Sequence, residues 1–451
     1  MPEIRATITI DKILESHIQS KLEDTGSRTN QIPFRDWEGK VTKEIFRLPI
    51  EYCKFRINNG RIRSRVKSHE KTKGPLLLDD EGAQKIIFQF LAEQDPTENN
   101  ALKSLLKKSG QKEPAIITAD GFLINGNRRL WALKTLREEG EGEKFKYINV
   151  VVLPGSDKAD APTYEDIALL ELRLQNQKTG KSEYTGIDKA LQTRDYVRDG
   201  SITLKEILKD DPVYANLTEK EFEKELKNFE RDNFDTLDLV DKYLKSRKQE
   251  GDYDSISDRW LSFQELTQKI ISKFSDEKFL SKYKIEETDK GLIQAAAFNF
   301  IQLKNTAHIA PKNINLIRDI TKWIEIDKKA FLKIGKIENN DSDDEWAVRD
   351  NEWQENQGEE IKNQVKMLQN LVRKKDEATG PITRLEEALW CLENEDLDIT
   401  KFDSIPIHIL DRSFELTKQI ENLNNGLKSF FYNKKKEVEK NANAIRNNKK
   451  K

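Results

Sequence analysis

Apolar and polar positions alternate along this chain in two rhythms, one of strands near the front and one of helices over most of the rest. In residues 114–154 (PAIITADGFLINGNRRLWALKTLREEGEGEKFKYINVVVLP), short apolar runs at 115–118 and 122–124 flank Ala119-Asp120-Gly121, which predicts a hairpin of two brief strands. Asn125-Gly126-Asn127 ends the second run, and Leu130, Ala132, Leu133 and Leu136 then take helical spacing over 128–137. Residues 147–153 (YINVVVL) are rich in β-branched side chains and predict a strand stopped by Pro154-Gly155. Alternation at 44–52 predicts another strand, and 6–10 a short one followed by a polar helix.

Helical spacing dominates elsewhere. Helices are expected at 81–93 and 100–109, separated by Asp95-Pro96-Thr97, with Thr97 or Asn99 as the cap of the second. Residues 163–175 form a third, with Ile167, Leu170 and Leu174 on one face. Residues 188–250 read as helical, and 257–337 as three or four helices, of which 292–303 (LIQAAAFNFIQL) is apolar nearly all round and belongs in a core. The helix expected at 314–331 carries Trp323 on its apolar face. Ile361, Val365, Leu368 and Val372 follow a 4, 3, 4 spacing, Gly380-Pro381 is expected to break that helix from 382–394, and Leu416, Ile420, Leu423, Leu427 and Phe430 repeat at 4, 3, 4, 3, a heptad seam. The fold class is therefore α+β, with a small mixed αβ domain followed by a large all-helical region ending in a helical bundle or coiled coil.

Composition narrows the function classes. In 451 residues, 35% are charged and 36% hydrophobic, and the mean hydropathy is −0.78, which describes a chain with much exposed helical surface. No apolar run approaches 18 residues, so no membrane span is expected, and the opening MPEIRATITIDKI lacks a basic stretch followed by an apolar core. With two distant cysteines, Cys53 and Cys391, the expected setting is cytoplasmic and reducing. The net charge of −2 announces no nucleic-acid binder, so any such activity must come from a local patch. One such patch is 54–73, with Lys54, Arg56, Arg61, Arg63, Arg65, Lys67, Lys71 and Lys73 against Glu70. Its Asn58-Asn59-Gly60 turn would present Arg61 on a loop, and the segment is either a solvated balance to acidic helices or a phosphate contact made by Arg61, Arg63, Arg65 and Lys67. A second is the Lys- and Asn-rich tail, 434–451. Residues 338–360 hold ten acids and Arg349 and read as a flexible linker, in which Trp346 and Trp353 either pin the segment to the body or dock a partner. His17, His69, His308 and His408 are scattered without metal-ligand spacing.

The candidate chemistry sits where the 128–137 helix starts. Its first turn holds two adjacent arginines after a glycine, and cations there are disfavoured unless an anion lies between them and the free N–H groups. The pair Arg128 and Arg129 therefore marks either a bound phosphate or carboxylate or a solvated pair capping nothing.

GNRRLWA (126–132) resembles the GERRxRA box of the ParB/sulfiredoxin superfamily, whose arginines contact the triphosphate of CTP. Upstream, 102–117 (LKSLLKKSGQKEPAII) is similar to that family's LxxSIxxxGxxxPIxV element, with Leu102, Gly110, Pro114 and Ile117 in register and Leu105 in place of serine. Downstream, 174–190 (LQNQKTGKSEYTGIDKA) resembles its ENxQR element. The resemblance implies a nucleotide-binding domain at 45–187, a nucleoside triphosphate with CTP favoured, and Mg2+. It implies contacts from Gly126, Asn127, Arg128, Arg129, Gln175, Asn176, Gly110 and Arg61, with Asn176 beside the metal. Gln175 stands where the family has an acid, and glutamine is neither a base nor a good magnesium ligand, so any hydrolysis is expected to be slow. Asn127 stands where sulfiredoxins have their reactive cysteine, which excludes sulfinic-acid reduction, since no thiolate is present to carry it.

The same resemblance suggests a helix-turn-helix at 188–250, with 202–208, a break at 210–212, 219–230, and an apolar closing helix at 239–244. The would-be recognition helix carries Glu219, Glu221, Glu223, Glu225 and Glu230 against Lys220, Lys224, Lys227 and Arg231, which argues for a scaffold without base readout. The expected domains are 1–44, an N-terminal extension; 45–187; 188–250; 251–337; 338–360, the linker; and 361–451, the C-terminal helices with a basic tail. The functional expectation is a ParB-like protein that uses a triphosphate to switch association with DNA or a partner protein, in a setting such as plasmid maintenance or phage defence. Partners would also meet the C-terminal helices, through a homodimer or another protein. The alternatives are a nuclease or phosphotransferase on the same fold and a helical adaptor that has lost its ligand.

Overall fold

The computed structural model describes residues 12–33, 41–77, 80–176, 186–200, 202–338, 345–393 and 407–448. The short strand expected at 6–10 lies outside them. After α1 (Lys12–Gln19), strands β1 (Glu23–Ile32) and β2 (Val41–Pro49) pair antiparallel. Helices α2 (Arg63–Lys73), α3 (Glu81–Gln94) and α4 (Pro96–Ser109) follow, then β3 (Ala115–Ile117), β4 (Leu123–Asn125), α5 (Asn127–Glu138), β5 (Tyr147–Val152) and α6 (Tyr164–Asn176). The five strands form one sheet in the order β1-β2-β5-β3-β4, with β3 and β5 parallel and the other pairs antiparallel.

The hairpin turns where its sequence predicts, at Ala119-Asp120-Gly121. Gly121 has φ +91, and a Cβ there would lie 2.8 Å from the Tyr52 carbonyl oxygen, so both backbone angle and space require glycine. Strand β1 carries no apolar period, because an edge strand is held by its backbone ladder and shows polar side chains to water. Among its described side chains, only that of the end residue Ile32 is deeply buried. The segment before residue 45 thus supplies a strand to the sheet.

Period-two alternation sends neighbouring strand residues to opposite faces. Ile116, Ile124 and Val151 pack on Ile167, Leu170 and Leu174 of α6, while Ala115, Ile117, Leu123, Ile148 and Val150 pack on the side carrying Val66 of α2, Ile87 and Leu91 of α3, and Leu130, Leu133 and Leu136 of α5. Helix α6 contacts β4, the edge strand of the sheet that leads directly into α5.

The helical region continues with α7 (Gly186–Arg198), α8 (Leu204–Asp210), α9 (Glu219–Phe229), α10 (Thr236–Ser246), α11 (Trp260–Lys269), α12 (Glu277–Tyr283), α13 (Glu287–Gln302), α14 (Asn313–Arg318), α15 (Ile320–Gly335), α16 (Trp346–Trp353) and α17 (Glu359–Glu393). One apolar cluster runs from Ile187 to Val372, through Phe263, Phe300, Trp323, Trp353, Ile361 and Leu368. The segments on either side of 250 and 337 contribute to this one cluster, and by compactness the chain falls into units 1–372 and 373–451.

Three further expectations change. Helices α9 and α10 are joined by a π-helical stretch, Glu230–Asp235, into continuous helix, so the second and third helices of the expected helix-turn-helix are one rod. The acidic segment is helical from Trp346 onward rather than a flexible linker. Trp353, 1% exposed, inserts into the helical core, and its burial outweighs the unfavourable charge around it. Helix α17 runs through Gly380-Pro381 without ending there, good helix formers on both sides outweighing the local breakers. The last helix, α18 (Ile407–Asn448), shows every described side chain to solvent and so forms no bundle among the described residues. No described helix is long and apolar enough to cross a membrane.

Within the first unit, the basic segment joins the sheet to the helical core. Arg56 and Glu171, each with side chains 4% exposed, pair at 3.3 Å. The Tyr196 hydroxyl donates to the same carboxylate at 3.0 Å, and the Gly60 N–H also bonds it. Burial raises the Glu171 pKa, and those neighbours oppose the rise only in part. At the start of α2, the Ser64 N–H donates to the buried Asp188 carboxylate of α7 at 2.8 Å, a negative charge placed on a helix N-terminus. About two turns further along α7, Asp195 bridges Arg63 at 2.6 Å and Lys67 at 2.9 Å. Burial disfavours the charged form of Asp195, but the two cations more than offset this and hold its pKa below the aspartate norm.

A buried charge that loses its partner keeps its desolvation cost, so Glu171→Ala is expected to destabilise the protein by about 3 kcal/mol or more, and Arg56→Met with Glu171→Leu by clearly less. Urea denaturation of the three proteins checks this. Because the folded Asp195 pKa is depressed, its stabilisation is full above the unfolded value of about 3.9 and fades as pH falls through the folded value. Below about pH 4, wild type should therefore lose its stability advantage over Asp195→Asn, as measured by melting temperature across pH.

Candidate anion-binding site

Strand β4 hands the chain to α5 through Gly126, at φ +99 and ψ 12. A Cβ at this position would stand 2.7 Å from the Ala115 Cβ on the neighbouring strand, so the left-handed angle and the close approach both demand glycine. No side chain caps the first turn of α5, whose free N–H groups and dipole favour an anion.

Arg128 and Arg129 leave this turn in different directions. The Arg128 Nε donates to Asn99 Oδ1 at 3.0 Å, and Asn99, 1% exposed, is fixed by donating its own Nδ2 to the Leu91 carbonyl at 2.8 Å. Burial lowers the Arg128 pKa, and the positive charge of Arg61 lowers it further, with Asp95 and Glu98 opposing. No carboxylate among the described residues comes within ion-pair distance of Arg128. Arg129 leans towards Glu113, 3.8 Å away, and burial also lowers its pKa. The buried atoms Arg128 Nη2, Arg129 Nη1, Asn127 Oδ1, Asn59 Nδ2 and Trp131 Nε1 have no hydrogen-bond partner among the described residues. Such groups are costly unless a ligand or water completes them.

Of the residues singled out in the sequence, Gly126, Asn127, Arg128 and Arg129 are joined here by Arg61, close enough to repel Arg128. Arg61 lies just after the short turn Gly60–Ile62 begins, where the Asn59 side chain accepts from its N–H at 3.1 Å. Gly110 is elsewhere: it stops α4 at φ +68, roughly 16 Å along that helix from Asn99. Gln175 and Asn176 close α6, but their side chains, and so the magnesium contact expected of Asn176, lie outside the described residues. Among the described residues, no cluster of three or more His, Cys, Asp or Glu side chains forms a metal site.

The basic loop is mostly a helix. Arg63 and Lys67 are bound to Asp195, and Arg65 pairs with Glu93 at 2.7 Å and with Asp254 at 3.4 Å. Those three side chains therefore pair with carboxylates of the same chain. Sequence reasoning missed Asn99 as a site residue. The cap of α4 is Asp95, which accepts from the Glu98 N–H at 3.0 Å, and this frees Asn99 to hold Arg128. Nothing in the local spacing could show that. His17 packs on the Tyr52 ring and His69 on that of Phe90, while His308 is exposed.

No family model, curated protein or solved structure matches the chain. Its class is set by its own architecture: a five-stranded mixed sheet joined to a large helical body, with an uncapped, arginine-lined helix start at the sheet edge.

Burial pushes the Cys53 thiol up to about 12, the nearby Lys134 charge offsetting little. In a Cys391→Ser background, Cys53 should stay unreactive to a thiol reagent at pH 8 and react fully in urea, followed by absorbance of the released chromophore. Gly126→Ala forces a strained angle together with a steric clash, and should cost more than about 1 kcal/mol by denaturant titration.

Proposed function

We propose that the chain binds a nucleoside triphosphate at the start of α5, in a way that biases its association with DNA or a partner protein. The phosphates would lie against the N–H groups that follow Gly126, with Arg128 and Arg61 on one side and Arg129 on the other. One observation carries this reading. Arg128 is half-buried beside Arg61, with an unpartnered Nη2 and no paired carboxylate, at a helix end that favours negative charge. A polyanion placed between those cations removes their repulsion and completes the orphaned donor. The residues present fit a phosphate group, and Mg2+ when bound would neutralise part of its charge.

CTP is the first candidate, on the resemblance of residues 126–132 to the superfamily's arginine box. With glutamine at 175 in place of an acid, binding should outlast hydrolysis. The route to the helical body is short. Arg61 precedes Arg63 and Lys67, which grip Asp195 of α7, and α7 contributes Ile187, Ala190 and Leu191 to the helical core. Movement of Arg61 onto a ligand would be felt there.

Calorimetry with CTP, UTP, ATP and GTP in the presence of Mg2+ tests this. Binding of at least one by wild type, weakened ten-fold or more in Arg128→Ala, is the expected result. Absence of heat and of any thermal shift with all four would overturn it.

A further inference from the structure

Helix α18 is 42 residues long, and its seam is exposed: Leu416 43%, Ile420 46%, Leu423 67%, Leu427 37% and Phe430 59%. Nothing within its own described surroundings covers these side chains. The stretch that carries them also contains Asn422, Asn424, Asn425 and Gly426, all weak helix formers, so intrinsic propensity does not account for a helix there. In proteins such a helix is maintained by packing an apolar face.

Among the described residues of 12–372, helical stripes such as Ile361, Val365, Leu368 and Val372 are buried in a core. Other exposed large apolar residues in that unit, such as Leu77, Leu105, Val213 and Leu261, are scattered along the sequence. A second copy of α18 offers a seam of the same spacing and length.

We propose that α18 pairs antiparallel with α18 of a second copy. With Leu416, Leu423 and Phe430 at one core position of the heptad and Ile420 and Leu427 at the other, an antiparallel pair sets Leu416 against Leu427 and Ile420 against Leu423 in four aliphatic layers. The positions flanking this seam, Thr417, Gln419, Asn424 and Gly426, are uncharged, so a copy of the same helix meets no repulsion along it. At roughly 100 Å2 of apolar surface for each of five side chains, two copies bury about 1,000 Å2, the lower limit for a specific interface.

Charge decides the direction. Beyond the seam, Lys434, Lys435, Lys436 and Lys440 face only Glu437 and Glu439. A parallel pair would set these lysines side by side at about 10 Å between axes, near the screening length of about 8 Å. The antiparallel pair separates the two Lys435 residues by roughly 40 Å, and the repulsion is screened out. It also leaves one lysine cluster at each end of the rod.

The test uses the full chain. Sedimentation should give twice the 52.5 kDa chain mass for wild type, and the monomer mass for Leu423→Glu with Leu427→Glu, whose folded body should melt as wild type does. In a Cys391→Ser background, Leu416→Cys together with Leu427→Cys should form an inter-chain disulfide under mild oxidation, while Leu416→Cys alone should not. A crosslink from Leu416→Cys alone means a parallel pair and overturns the proposal. A monomeric wild type also overturns it. If the Glu variant then melts earlier, the seam is covered within the chain; if melting is unchanged, it serves a different protein.

Discussion

Arg56 and Glu171 lie 3.3 Å apart, both almost wholly out of water, and removing either leaves the other with an uncompensated desolvation cost. Around them, Asp188 receives the first turn of α2, and Asp195 holds Arg63 and Lys67. These carboxylates all come from α6 and α7. Because α6 also covers one face of the sheet and α7 contributes to the helical core, the pairing fixes the αβ part on the helical part. Charge in such a place supplies direction more than net stability. An apolar contact tolerates sliding, whereas a buried cation is satisfied only where its partner stands.

The same junction explains how the candidate site is organised. Five residues separate Asn58, which accepts from the Arg63 guanidinium at 3.3 Å, from Ser64, which is bound to Asp188, and Arg61 lies between them. The near side of the site is therefore set by the helical body, and its far side by the Gly126 turn against Ala115. Two positively charged groups are brought together by elements that have separate reasons to be where they are. The charge of Arg61 disfavours the charged form of Arg128, and Asp95 and Glu98 oppose that effect.

The C-terminal helix follows different rules. Its apolar side chains obey the heptad, yet they find no cover among the described residues, while a less regular acidic segment around Trp353 is taken fully into the core. Periodicity states that a face exists, and only the surroundings state what meets it. One large aromatic ring offers enough buried surface to draw in a segment whose composition otherwise belongs in water.

Local chemistry alone determined the hairpin at Ala119-Asp120-Gly121, the strand at residues 147–152, the helix that follows Gly126 and the seam from Leu416 to Phe430. Each depends on contacts within a few residues or on a repeat, and these are written in the order of the side chains. Tertiary structure decided the rest. It recruited the polar strand Glu23–Ile32 through backbone bonds that carry no side-chain signal. It joined the helices from Ile187 to Val372 into one core, and it turned a cationic run that resembled a phosphate-binding loop into a set of internal ion pairs. A charge in a sequence has no partner until the fold brings one from more than a hundred residues away, and that distance is why the fate of Arg63 and Lys67 was invisible while that of Gly126 was not.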